Sequence, residues 1–133
     1  MKGKGKTIAV IASGFNNIYP IENKRLFNEI IESDGLIISE WEPNKEIDSK
    51  NFPKRNRIIS GISIATLIIE AKYRSGTLIT AKYALEQEKE LFCVPGNIDS
   101  INSLGSNLLI KKGAQLVTTP NDIIETLKFR NEI

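Results

Sequence analysis

Short apolar, β-branched runs alternate along this chain with longer segments of helical periodicity. Thr7-Ile-Ala-Val-Ile-Ala12 is a continuous apolar run closed by Ser13-Gly14, which predicts a strand buried on both faces. Glu22 to Ser33 carries Leu26, Phe27, Ile30 and Ile31 at helical spacing, just after Pro20, and predicts a helix. Gly35-Leu-Ile-Ile-Ser39 predicts a second strand, followed by a polar loop from Glu40 to about Phe52. Lys54 to Ser60 predicts a short helix begun by Pro53, and Ala65-Thr-Leu-Ile-Ile-Glu70 a third strand. Arg74-Ser-Gly-Thr77 opens a strong helix over Leu78 to Glu88, and Leu91-Phe-Cys-Val94, stopped by Pro95-Gly96, is the fourth strand. Ser103 to Lys112 is helical and ends at Gly113, a common helix-stop residue. Gln115-Leu-Val-Thr118 is a short fifth strand, and a last helix starts near Pro120-Asn-Asp122 with Ile123, Ile124 and Leu127 on one side.

This alternation predicts an α/β fold: three layers, with a mainly parallel sheet of about five strands, right-handed crossovers and helices on both faces. Neither a repeat nor a linker interrupts it, so residues 1–133 are expected to form one domain.

Composition narrows the chemistry more than it defines it. The chain is 41% hydrophobic and 26% charged, an ordinary soluble balance, and its net charge of +2 is too small to announce a nucleic-acid partner. There is no histidine and one cysteine, which excludes a conventional zinc site and any histidine-dependent triad. Cys93 lies in an apolar run and reads as a small buried hydrophobe. A lone cysteine forbids internal disulfides and suits a reducing cytoplasm. No run approaches the length of a membrane span or a signal segment. The basic start with Lys2, Lys4 and Lys6 fits a phosphate-attracting tail or a plain solubilising one.

In an open parallel sheet, ligands bind beyond the carboxyl ends of the strands. That rule selects Ser13-Gly-Phe15, the Glu40–Lys54 loop, the turn Ala71 to Thr77, and Cys93 to Asp99. The long loop ends in Lys50-Asn-Phe-Pro-Lys-Arg-Asn-Arg57, with cations at Lys50, Lys54, Arg55 and Arg57 and no acid. Guanidinium forks match phosphate oxygens, and Phe52, if exposed, offers a face for a base; the alternative is a solvated basic helix start with Phe52 in the core. Ser75 and Thr77 can cap the helix they begin, and Gly76 lets a ligand approach backbone N–H groups at its positive end; the same residues also describe a capped helix with nothing bound. Pro95-Gly96-Asn97 reads as a turn on the same edge. Glu70 beside Lys72 and Arg74 reads as a charge partner ordering the turn rather than a catalytic acid. The strand-end rule thus expects two cationic, phosphate-compatible segments on one rim, a site for a phosphodiester or a nucleotide.

Phe52-Pro-Lys-Arg-Asn-Arg-Ile-Ile-Ser-Gly61, Ile69-Glu-Ala71, Ser75-Gly-Thr-Leu-Ile-Thr-Ala81, Ala84-Leu-Glu-Gln87 and Val94-Pro-Gly-Asn97 resemble, in order and spacing, the bacterial DNA-processing protein A family (DprA/Smf). Ile18-Tyr-Pro20 with Glu22-Asn23, and Leu109-Ile-Lys-Lys-Gly-Ala114, extend the resemblance from about Lys6 to Leu127. It implies an extended Rossmann fold that binds single-stranded DNA and helps load the recombinase RecA in natural transformation (competence) and recombination, with no catalytic role and no cofactor. It implies that Lys54, Arg55 and Arg57 line a phosphate pocket, that Asn56 fixes the loop or contacts the strand, and that Phe52 stacks or supports the pocket. Ser75, Gly76 and Thr77 would receive a phosphate. The family's homodimer contact corresponds to Leu109, Ile110, Ile123, Ile124 and Leu127, an apolar stripe that fits core equally well. Family members carry a strand, a Gly-Ser-Arg loop and further helices before the segment that begins here at Lys6. The chain is therefore expected to lack one pocket wall and one phosphate-binding arginine, leaving a sheet edge open to dimerisation.

Two other functions compete. One is an interaction module that keeps the dimer or RecA surface without binding DNA. The other is an enzyme like the nucleoside-monophosphate phosphoribohydrolases of the lysine-decarboxylase-like group, which carry Pro-Gly-Gly-x-Gly-Thr and a following glutamate. The matching place here reads Tyr73-Arg-Ser-Gly-Thr-Leu78, with no glycine pair and no glutamate until Glu86.

Overall fold

The structure is a computed structural model, and it describes residues 5–131 and 133. Lys2 and Lys4 of the basic start lie outside the described residues. The chain divides into two compact units, Met1–Ile58 and Ile59–Ile133.

The first unit is a strand–helix–strand element. Strand β1 (Ile8–Val10) and strand β2 (Leu36–Ile38) are parallel, with Ile8 opposite Leu36 and Val10 opposite Ile38. A single helical turn at Ile21–Asn23 leads into helix α1 (Lys24–Glu32), which packs on β2. Of the four apolar residues expected on its inner face, Ile30 is buried and Phe27 half-buried, whereas Leu26 and Ile31 are exposed. Gly14 closes β1 where the chain meets the Glu40–Lys50 loop. A Cβ on Gly14 would lie 2.1 Å from the Glu42 carbonyl oxygen and 2.2 Å from that of Pro43, so only glycine allows this approach.

Helix α2 (Asn51–Gly61) contains the boundary between the units. It begins three residues before the expected Lys54, and Pro53 lies inside its first turn rather than ahead of it. The first-turn N–H groups have no intrahelical acceptor, so proline there removes no helix bond. The start is held by Asp48, whose carbonyl accepts from Asn51 N–H at 2.9 Å and whose carboxylate accepts from Lys50 N–H at 2.9 Å.

The second unit has strands β3 (Ala65–Ile68), β4 (Glu90–Cys93) and β5 (Gln115–Leu116), all parallel in the order β3-β4-β5. Helices α3 (Gly76–Glu86), α4 (Leu104–Lys111) and α5 (Pro120–Phe129) complete it. Alternation along β4 sorts the core into two faces. Leu91 and Cys93 pack with Ile68, Ala81, Ala84 and Leu109, under α3 and α4; Phe92 packs with Val117 and Leu127, under α5. This unit therefore has the expected three layers with helices on both sheet faces. Burial pushes the Cys93 thiol up to about 11, which makes it the inert hydrophobe its sequence context suggests.

The expected single sheet of about five strands is corrected. The five strands form a two-stranded sheet, β1-β2, and a three-stranded sheet, β3-β4-β5. Apolar periodicity marks which segments are strands, but not which of them exchange ladder hydrogen bonds. Helix α5 starts with a reciprocal cap: the Thr119 hydroxyl accepts from Asp122 N–H, and the Asp122 carboxylate accepts from Thr118 and Thr119 N–H. Those backbone bonds hold the Asp122 carboxyl down at about 2.

Candidate nucleic-acid interface

The predicted site residues fall into two groups, one in each unit. Phe52, Lys54, Arg55, Asn56 and Arg57 occupy the first two turns of α2. Ser75, Gly76 and Thr77 open α3.

In the first group most of the charge is engaged within the protein. Arg55 donates from Nη1 to the Val10 carbonyl at the end of β1 and from Nε to Asn56 Oδ1 at 3.0 Å. Desolvation by burial lowers its pKa from the ordinary arginine value. It is thus an anchor of the Rossmann-type strand end, and Asn56 accepts from it. Arg57 forms an ion pair with Glu40. Lys54 is exposed and makes no ion pair among the described residues. Phe52 is half-buried beside Tyr19, with ring centroids 6.0 Å apart and planes inclined at 55°. Phe52, Tyr19 and Arg55, with Ile11 to Ser13 and Ile47, line a cavity of about 50 Å³ at the carboxyl end of β1. Asn51 is buried, and its side-chain NH₂ has no partner. Tyr19 was given no site role by sequence reasoning; it entered only as part of the Ile18-Tyr-Pro20 segment of the family resemblance.

The second group is different. Ser75 stands at the N-cap with extended backbone, but its side chain makes no capping bond, contrary to expectation. Its hydroxyl oxygen is buried and unpartnered. The backbone N–H groups of Gly76 and Thr77 have no acceptor among the described residues. A Cβ on Gly76 would meet nothing within 4 Å, so the approach to this helix start is open. Lys72, Tyr73 and Arg74 precede it and are exposed. Glu70 is exposed and pairs with neither Lys72 nor Arg74, correcting its expected role as their charge partner. Arg74 instead sits over the Tyr73 ring, 5.4 Å from its centre.

Helix α4 holds this turn in place. The Ala71 carbonyl accepts from Gly105 N–H at 2.7 Å, and Ala71 N–H donates to the Asn102 carbonyl at 2.9 Å. A Cβ on Gly105 would lie 2.6 Å from the Ala71 carbonyl oxygen. Asn107 fixes the Pro95-Gly96-Asn97 turn, accepting from Gly96 N–H at 3.1 Å and donating to its carbonyl at 3.0 Å. Neither Gly105 nor Asn107 was anticipated. The small and amide residues at the exposed-looking start of a helix were the available signal.

Of the residues assigned to a dimer contact, Leu109 and Leu127 are core, and Ile110 and Ile123 pack partly buried against it. Ile124 is exposed. Among the described residues, no helix is long and apolar enough to cross a membrane, and no group of three acidic, cysteine or histidine side chains is placed to hold a metal.

Parallel strands with intervening helices, and an open helix start beyond a strand's carboxyl end, define a Rossmann-like α/β protein with an anion-compatible rim. The chain belongs to the DNA recombination-mediator protein A family, whose model matches residues 1–128. It is 46% identical over 125 residues to protein Smf of Escherichia coli strain K12, covering 94% of this chain and 33% of that protein. It is 43% identical to DNA processing protein DprA of Bacillus subtilis strain 168, covering 98% of this chain and 44% of that protein. The X-ray structure of DprA from Streptococcus pneumoniae superposes with a TM-score of 0.83 at 42% identity, over 91% of this chain and 42% of that one. A structure of DNA processing protein A from Helicobacter pylori, which gives insights into that protein's unique single-stranded DNA binding mode, has a TM-score of 0.83 at 32% identity. It is covered over 57% of its length by 94% of this chain. The chain thus spans less than half the length of these curated relatives.

Proposed function

We propose that this chain supplies a single-stranded DNA-binding surface of a DprA-type recombination mediator, and that it acts by binding rather than catalysis. The observation that carries this reading is the start of α3, where, among the described residues, two backbone N–H groups have no acceptor and the exposed cations Lys72 and Arg74 just before them have no acidic partner. Such a group fits a phosphate whatever the base sequence. Family membership supports the reading, as does the binding mode described for the Helicobacter pylori relative. In the same reading the partners are single-stranded DNA, a second copy of the chain through exposed Ile124 and its surroundings, and the RecA recombinase, in a cytoplasmic role in natural transformation.

The test is fluorescence anisotropy with a labelled oligothymidylate across a salt series. Binding should weaken steeply with salt. Lys72→Ala and Arg74→Ala should each reduce the slope of log K against log salt by about 0.7, the share of one phosphate contact on a single strand. Slopes unchanged in both variants would remove the proposed surface. Release of free base from a nucleotide by the purified chain would overturn the non-catalytic part.

A further inference from the structure

Among the described residues, the exposed aromatics are Phe15, Tyr19, Tyr73 and Phe129. Tyr73 alone of these carries a cation over its ring, the Arg74 guanidinium at 5.4 Å. The residue is 60% exposed, so it covers little of the protein's own core. An aromatic face with an attached guanidinium is the surface on which a nucleobase stacks, because every base presents a π-face and the cation strengthens the stack.

The surroundings of this pair are those of a built surface. Ser75 N–H donates to the Lys72 carbonyl at 3.2 Å, closing a β-turn with Tyr73 and Arg74 at its centre. Arg74 has φ of 60°, so the turn is of the kind that usually takes glycine at its third position. The other non-glycine residues with positive φ, Asp34, Glu88 and Asn131, each follow the end of a helix, whereas Arg74 precedes the start of one. The bonds from Ala71 to Asn102 and Gly105 fix the base of the turn, so the ring is carried on an ordered support.

We infer that Tyr73, backed by Arg74, is a nucleobase-stacking platform at the start of α3, so that this site holds a base as well as a phosphate. The inference rests on the single-stranded DNA reading above and adds to it a contact with the bases rather than the backbone. Stacking is indifferent to base identity, so the platform raises affinity for single strands without imposing a sequence. It also disfavours paired DNA, whose bases have no free face.

The experiment compares two labelled oligonucleotides of equal length and charge, oligothymidylate and its abasic counterpart, on the full chain. The unaltered chain should bind the base-bearing strand about tenfold more tightly, and Tyr73→Ala should abolish most of that preference while leaving the salt slope unchanged. Tyr73→Phe should keep it. Tyr73→Trp should give an indole whose fluorescence oligothymidylate quenches and the abasic strand does not. A preference that survives Tyr73→Ala, or an indole that oligothymidylate leaves unquenched, overturns the platform while the DNA-binding reading stands. Failure of the unaltered chain to bind either strand removes that reading, and the platform with it.

Discussion

Helices α2 and α3 both open with residues suited to phosphate, yet the first engages its charges internally and the second leaves them exposed. At α2 the start is held by Asp48, Arg55 anchors the Val10 carbonyl, and Arg57 is paired with Glu40. At α3, among the described residues, the N-cap side chain makes no cap, two backbone N–H groups have no acceptor, and neither Lys72 nor Arg74 has an anionic partner. The denser basic sequence thus leaves no more unpaired cations than the sparser one: among the described residues Lys50 and Lys54 make no ion pair, and neither do Lys72 and Arg74. A guanidinium beside a strand end finds a carbonyl to satisfy, and burial then makes the bond structural. An exposed turn without acids has no such alternative. Local excess of Lys and Arg therefore measures the capacity to bind an anion, and only the hydrogen-bond partners tell how much of it remains available.

Arg55 gives the largest expected separation between the two regions. Arg55→Ala removes a charge-assisted bond to the Val10 backbone carbonyl and the bond that Asn56 Oδ1 accepts. It should lower stability by about 2–3 kcal/mol. Arg74→Ala should move stability by less than about 0.5 kcal/mol, as is usual for exposed side chains. Urea titrations of both variants check this. Equal effects would mean that the two arginines play the same part and that the contrast between α2 and α3 is false.

Gly105 tests the other side of the comparison, the support of the α3 turn. Its Cβ position falls 2.6 Å from the Ala71 carbonyl oxygen and 2.9 Å from that of Lys72, both backbone atoms that cannot step aside like a side-chain tip. Gly105→Ala should cost about 2 kcal/mol in the same titration and should also weaken oligonucleotide binding, because the turn moves with the Ala71 backbone. A variant that is destabilised but binds as before would show that the turn does not need α4 beneath it.

Much of this was legible in the sequence. Every expected strand and helix is present, because each carries a clear apolar period and a stop signal such as Ser13-Gly14, Pro95-Gly96 or Gly113. Cys93 was identifiable as buried from its apolar neighbours alone. The family was readable too, since spaced motifs such as Phe52 to Gly61 and Ser75 to Ala81 identify a fold without reference to contacts. The pairing of strands into two sheets was not readable, since periodicity is blind to which edges meet. The internal bonds of Arg55 and Arg57 were hidden because their partners, Val10 and Glu40, are 45 and 17 residues distant in sequence. Leu109 and Leu127 could not be told from a contact surface, since the same stripe serves a core or a partner. Tyr73 left no signal, because one aromatic in a turn has no period.

A smaller change than that at Arg55 or Gly105 has the opposite sign. Arg74 holds a positive φ of 60°, which costs an L-residue about 1–2 kcal/mol and glycine nothing. Replacing it with glycine also raises the entropy of the unfolded chain, which returns about 0.5–1 kcal/mol of that gain. Arg74→Gly should therefore stabilise the protein by about 0.5–1 kcal/mol while weakening oligonucleotide binding, through loss of both the cation and the backing of the Tyr73 ring. Arg55 would not show this pairing of signs: there the residue that carries the charge also holds the fold, so its removal lowers stability. Measuring both quantities on Arg74→Gly and Arg55→Ala separates strain retained for a ligand from charge retained for the fold. If Arg74→Gly binds as tightly as the unaltered chain, the arginine's unfavourable backbone serves no ligand, and the α3 start differs from α2 only in lacking an acid.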